Sequence, residues 1–169
     1  RYEIITMTSS FHGRTLATLT ATGQEKVQKG FAPLMPGFSY VPFNDLSAVE
    51  RAITPKTAAI MLEPIQAEGG VHVAERSYLQ ALRELCRERD ILLIFDEVQT
   101  GMGRTGTLFC YEQFGIQPDI MTLAKGLGGG VPIGACLATD SVARAFGPGT
   151  HASTFGGNPL ACASALAVV

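Results

Sequence analysis

Short apolar runs rich in β-branched residues alternate along this chain with stretches of helical periodicity, and that alternation constrains the fold more than any other feature. Ile4-Ile5-Thr6-Met7 and residues 58–62, 91–95, 120–123 and 134–139 read as strands. Residues 77–89 place Leu79, Leu82, Leu85 and Cys86 on one helical face and leave Arg and Glu for the other, which makes this the clearest helix. Residues 46–53 read as a shorter helix opened by Asn44 or Asp45, and residues 141–146 as another opened by Asp140. Asn158-Pro159 joins an N-cap to a first-turn proline and launches an Ala-rich helix through Val169. Continuously apolar strands linked through helices imply a sheet buried on both sides. The expected fold class is α/β, a mostly parallel central sheet with helices on both faces. The Pro- and Gly-rich stretches 32–37 and 146–150 are excursions around that sheet rather than domain linkers, because strand and helix signals resume on either side.

Size and charge remove several functional classes. At 169 residues and 46% hydrophobic content the chain can bury a core of its own, with no internal repeat, low-complexity segment or second domain. Only 17% of residues are charged, and 13 Lys and Arg against 15 Asp and Glu give a net charge of -2. No basic tract is long enough to follow a nucleic-acid backbone or an anionic lipid surface, so neither is an expected partner. The longest apolar runs fall far short of the roughly 20 residues that a bilayer helix needs. Cys86, Cys110, Cys136 and Cys162 are widely separated singletons, which fits a reducing, cytoplasmic setting better than a disulfide scaffold. The start at Arg1 inside a strand and the end at Val169 inside a helix read as cuts through a larger protein.

Four polar segments stand where chemistry is expected, at the carboxyl ends of strands. Asp96 and Glu97 follow Ile91-Leu92-Leu93-Ile94-Phe95 directly; the pair reads equally as a ligand site or as a solvated strand end and helix cap. A strand ending in Asp-Glu also resembles the metal-holding strand of P-loop ATPases, but the glycine-rich loop that such a site requires is missing. Lys125 closes another apolar strand and is followed by Gly126-Leu127-Gly128-Gly129-Gly130, whose glycines let backbone approach a ligand closely. A lysine there is an ordinary surface residue, or else an amine shielded in a cleft that condenses with an aldehyde. In Ser10-Phe11-His12-Gly13-Arg14-Thr15, His12 can be a general base and Arg14 a carboxylate clamp, or both can cap the following helix. Glu63 and Glu68, in Glu63-Pro64-Ile65-Gln66-Ala67-Glu68-Gly69-Gly70, are an acid and base pair or plain loop charge. His12, His72 and His151 are too dispersed for a metal motif, and no G-x-S-x-G elbow is present.

Taken in order, these segments resemble the class III (subgroup II, fold-type I) aminotransferases, which use pyridoxal 5'-phosphate. The likeness runs from Ser10-Phe11-His12-Gly13-Arg14-Thr15 through Glu63-Pro64-Ile65-Gln66 to Phe95-Asp96-Glu97-Val98-Gln99-Thr100-Gly101-Met102-Gly103-Arg104-Thr105-Gly106. It continues through Ala124-Lys125-Gly126-Leu127-Gly128-Gly129-Gly130 and His151-Ala152-Ser153-Thr154-Phe155-Gly156-Gly157-Asn158-Pro159. Within the family the wording is nearest to the branch acting on N-acetylornithine.

The resemblance implies roles residue by residue. Lys125 would hold the cofactor covalently and then move the substrate proton, as a catalytic residue together with Asp96, which would pair with the pyridine nitrogen. Phe11 would stack on the ring, and Gln99 would bond the phenolic oxygen. Arg14 would hold the substrate α-carboxylate, and Glu68 would pair with an arginine beyond Val169 until a dicarboxylate takes that arginine over. Glu63 would be a supporting carboxylate, and Thr154 would reach the cofactor phosphate of a neighbouring subunit, which implies a homodimer. Residues 1–169 would then be the central part of the cofactor-binding large domain, with the N-terminal segment, its phosphate loop and the small domain absent, and inactive alone.

The implied reaction is transfer of the δ-amino group of N-acetylornithine to 2-oxoglutarate, a step of arginine biosynthesis. Ornithine, succinylornithine or another ω-amine is the alternative donor, with 4-aminobutyrate disfavoured by Arg14 and Glu68 together. A non-catalytic ligand-binding α/β fragment is the competing reading from a different class. Two departures from the family wording stand out: Gly126 and Ala67, where relatives often carry Ala and Gly respectively.

Overall fold

A computed structural model describes all of residues 1–169. Six strands form the main sheet: β1 (Glu3–Met7), β2 (Phe38–Val41), β3 (Thr57–Leu62), β6 (Leu92–Asp96), β7 (Ile120–Leu123) and β8 (Ala135–Ala138). Their spatial order is β2-β1-β3-β6-β7-β8. Every pairing is parallel except β7 with β8, which runs antiparallel. Parallel neighbours need a crossover, and the helices supply it. The stretch from β7 to β8 carries only a single 3₁₀ turn, Lys125–Gly128, so the chain comes straight back along its neighbour. Two short strands, β4 (Ile65–Gln66) and β5 (His72–Val73), make a separate hairpin.

The helices are α1 (Leu16–Ala21), α2 (Glu25–Gln28), α3 (Leu46–Ala52), α4 (Arg76–Arg89), α5 (Asp140–Ala143) and α6 (Pro159–Val168). The expected apolar stripe of α4 buries Leu79, Leu82, Leu85 and Cys86. They meet Ile60, Leu62, Leu93 and Phe95 of the central strands in the largest apolar cluster of the molecule. Alternation along the strands sends Met61, Leu92 and Ile94 to the other side, where they are only half-buried. A smaller cluster of Met121, Leu123 and Leu127 sits under β7 and takes Ala165 of α6.

Several boundaries differ from the sequence reading for identifiable reasons. Asp45, not Asn44, caps α3, by accepting from the Ala48 N–H at 2.8 Å. Asn44 instead ties down the approach to α4, donating to the Val73 carbonyl and accepting from the Glu75 N–H. α5 is a single turn that ends at Ala143, with Thr139 at its cap and Asp140 already helical; it buries no side chain that would extend it. Asn158 does cap α6, accepting from the Ala161 N–H at 3.0 Å. β2 escapes a search for apolar runs because it is an edge strand, in which only Val41 is buried.

Candidate active site

Neighbouring parallel strands deliver the site from their carboxyl ends. Beyond β1 the chain turns through Ser9, whose φ of 63° is left-handed, and Ser10 accepts the Gly23 N–H at 3.0 Å. That turn sends Phe11 and His12 back over the end of the sheet. Glu63 comes immediately after β3, Asp96 is the last residue of β6, and Lys125 stands two residues past β7. Side chains from these four ends, with Glu68, Val98 and Gln99, line one pocket of about 70 Å³. Lys125 also borders a broader cleft of about 1120 Å³ whose walls are residues 130–134 and parts of 151–158.

Asp96 is nearly enclosed, and its carboxylate is held at both oxygens. Oδ1 accepts from the Val98 N–H at 3.1 Å and from the Thr122 hydroxyl at 3.2 Å. Oδ2 lies 2.8 Å from Nδ1 of His12, whose side chain has no solvent exposure. His12 is therefore neither a free general base nor a helix cap, as the sequence left open. It is bound to Asp96, and Thr15 takes the cap position of α1. The backbone N–H of His12 is anchored separately, by donating to Thr22 Oγ1 at 2.9 Å.

Glu97, next in the chain, has a different task. Its Oε2 accepts from the Cys110 N–H at 2.7 Å and from Thr100, and its Oε1 accepts from the Tyr111 N–H at 2.8 Å. This carboxylate supplies partners to the start of the 3₁₀ turn Cys110–Phe114, and burial pushes its pKa up. Glu63 accepts from the Phe11 N–H at 3.0 Å. Burial raises the Glu63 pKa to about 6; the Phe11 bond and the nearby His12 oppose the rise, and Asp96 adds to it.

Lys125 has a φ of 43°, which is unusual for a side chain with a Cβ. Its Nζ donates to Gln99 Oε1 and lies 3.7 Å from the Glu68 carboxylate. Glu68 is delivered by a loop pinned to the end of β1: Gln66 donates to the Thr8 carbonyl at 2.9 Å. A Cβ on Gly69 would stand 2.1 Å from the Ser9 carbonyl oxygen, so only glycine allows that approach. The two departures from the family wording are accommodated. Ala67 has no positive φ, and a Cβ on Gly126 would come only within 3.3 Å of Met102.

Two candidates lie outside the pocket. Arg14 is exposed, with its guanidinium 5.4 Å above the Phe11 ring. Thr154 is exposed on the loop beside the broad cleft and lines neither space. What sequence reasoning missed is the linkage around Asp96. Thr122 carries no motif and becomes a partner only because β7 pairs with β6 in the register Asp96 to Thr122.

The chain has similar counterparts among known proteins. The Aminotransferase class-III family model matches residues 1–169. The acetylornithine aminotransferase of Methanocaldococcus jannaschii is 62% identical over 167 residues, covering 99% of this chain and 42% of that protein. The N-acetylornithine aminotransferase structure of Stenotrophomonas maltophilia K279a superposes with a TM-score of 0.75 at 45% identity, over 98% of this chain and 37% of that one. The ornithine aminotransferase of Toxoplasma gondii superposes with a TM-score of 0.93 at 42% identity, over 98% of this chain and 40% of that one. That structure is described as having partial occupancy of pyridoxal phosphate at its active site. The chain thus spans less than half the length of the relatives it matches. Over that span, it belongs to the class-III aminotransferase family.

Proposed function

We propose that this chain is the central part of the cofactor-binding large domain of a pyridoxal-phosphate-dependent aminotransferase. The reading rests on one observation: an amine, a buried carboxylate, an amide and an aromatic ring, all required to hold this cofactor, border a single pocket through Lys125, Asp96, Gln99 and Phe11. The donor set fits the group. Asp96 keeps acceptor capacity after its three hydrogen bonds, and Lys125, whose side chain is 45% exposed, can be approached from outside.

When bound, pyridoxal phosphate supplies an aldehyde for condensation with amines and a ring that takes up the electron pair left by a departing proton. The chain's residues do the rest. Lys125 Nζ would hold the group through that aldehyde, and its amine would accept the proton that leaves the substrate's terminal carbon. Asp96 would hold the ring nitrogen's proton in place, so its loss should cost the chemical step more than cofactor capture. Phe11 would cover the ring face, and Gln99, which now accepts from Lys125, would bond the phenolic oxygen. Glu63 supports the site from the end of β3. Arg14 binds the substrate α-carboxylate, which leaves the distal amine to reach the reacting carbon. Glu68 changes partner as donor and acceptor alternate.

We take the donor to be the δ-amine of N-acetylornithine and the acceptor to be 2-oxoglutarate, within arginine biosynthesis. The higher identity to acetylornithine enzymes, 62% against 42% for the ornithine enzyme, supports that choice. Ornithine is the second reading, supported by the closer superposition of the Toxoplasma enzyme. Thr154 is assigned to the phosphate of a second copy, in a cytoplasmic homodimer. Its exposure, beside the exposed Phe155 and Leu160, supports contact outside this chain.

The test is an absorbance spectrum of the complete protein with added pyridoxal phosphate, followed by borohydride reduction and peptide mapping. A reduced adduct on Lys125 is expected, after which turnover of N-acetylornithine is compared with that of ornithine. Absence of any specific adduct overturns the reading.

A further inference from the structure

We propose that His72 is a positioning residue for Glu68: its imidazole bonds the loop that carries this carboxylate and so sets how readily the anionic acceptor is taken. The kinetic consequence rests on the role given to Glu68 above, whereas the clamp itself does not. Glu68 sits in the connection of the β4–β5 hairpin, whose arms close with Gln66 opposite His72. Residues 67–71 between them hold unusual backbone: Gly70 has a φ of 126°, and Val71, a β-branched residue, has a φ of 60°. Backbone of that kind persists only where its surroundings hold it.

Two contacts clamp the peptide that follows Glu68. On one side Gly69 presses against the Ser9 carbonyl, as described above. On the other, His72 Nε2 lies 3.1 Å from the Gly69 carbonyl oxygen. A carbonyl only accepts, so Nε2 carries the hydrogen and donates it. The ring fits because position 70 is glycine: a Cβ there would stand 2.9 Å from Nε2. The foot of the hairpin is fixed in turn, since Gln66 donates to the Thr8 carbonyl and the Ala74 N–H to the Pro64 carbonyl at 3.0 Å. His72 is exposed, yet it holds Gly69 from a stationary base, and the Glu68 carboxylate stays 3.7 Å from Lys125 Nζ. A carboxylate freed from that place would meet the dicarboxylate acceptor with like charge, whereas N-acetylornithine brings no second carboxylate to meet it.

In the complete protein, His72→Ala should raise the KM for 2-oxoglutarate about fivefold, the shift that one net hydrogen bond gives a local equilibrium. The KM for N-acetylornithine and kcat should change little. His72→Gln, whose amide nitrogen reaches nearly the Nε2 place, should restore the acceptor KM. His72→Asn, whose amide ends near the Nδ1 place, should not. Equal changes in both KM values, or a Gln variant that does no better than Asn, would reduce His72 to a packing residue of the hairpin and overturn the proposal.

The cofactor-free protein gives a readout independent of turnover. Deuterium uptake at residues 67–71 should be about fivefold faster in His72→Ala than in wild type, and near wild type in His72→Gln. Unchanged uptake in His72→Ala would sink the clamp. If Glu68→Ala itself leaves the acceptor KM unchanged, the role given to Glu68 falls, while the uptake comparison still decides whether His72 holds the loop.

Discussion

Replacing Glu63 by Gln gives a stability change whose sign depends on pH. Glu63 is 4% exposed, and burial raises its carboxyl from an ordinary value of 4.5 to about 6. Between those values the folded protein keeps the proton and the unfolded chain releases it, so stability falls as pH rises through this window. Above about pH 6 the folded state carries a buried anion, at a cost of about 2 kcal/mol relative to low pH. Gln has the same shape and keeps an oxygen for the Phe11 N–H, which donates at 3.0 Å. Wild type and Glu63→Gln should therefore be similarly stable near pH 4. The variant should gain by up to about 2 kcal/mol at pH 8, less whatever the neutral acceptor gives up in hydrogen-bond strength. Urea unfolding of the cofactor-free complete protein from pH 4 to 8 measures the difference directly. A difference that stays flat across the window, or one that grows as pH falls, would refute the reasoning.

Two further substitutions separate residues that serve the fold from those that serve the site. Glu97→Ala removes the acceptor for one buried and one part-buried backbone N–H group and for the Thr100 hydroxyl, and should cost about 3–5 kcal/mol in the same unfolding assay. Gly69→Ala forces a Cβ against the Ser9 carbonyl oxygen and should cost at least about 2 kcal/mol. Because that contact also seats Glu68, a stable Gly69→Ala protein should show altered acceptor KM before any change in the cofactor spectrum.

How far the sequence could be read depends on which physical signal each element carries. α4 and the central strands β3, β6 and β7 announce themselves because their burial demands continuous or periodic apolar residues. β2 and the hairpin of β4 and β5 bury too little to leave such a pattern, and α1 and α2 are too short for a period to develop. Among polar residues, position at a strand end identified Asp96, Glu63 and Lys125 as candidates. The attachment of His12 to Asp96 joins residues far apart in sequence and follows only from how β1 and β6 flank β3. Nor could strand-end position alone assign Asp96 and Glu97 to different duties, since both are acidic and adjacent.

That division follows from the period of the strand. Side chains alternate faces every residue, so Phe95 points to the core cluster and Asp96 to the other side. Glu97 then falls back on the Phe95 side, where Cys110 of the same cluster takes its oxygen. A slip of β6 by one residue against β3 and β7 would exchange these duties, putting Phe95 beside Lys125 and an unpaired carboxylate in the core. The apolar run ahead of Asp96 prevents the slip, because Leu93 and Phe95 are fully buried only in the register that pairs Phe95 with Leu62 and Met121. Four consecutive strands at about 4.8 Å spacing span only about 14 Å, a distance that side chains on the outer pair can bridge towards one ligand. β1, β3, β6 and β7 are consecutive in the sheet, and each supplies a pocket residue at or shortly after its carboxyl end. The same hydrophobic register that holds the sheet together therefore sets the reach between His12, Asp96 and Lys125.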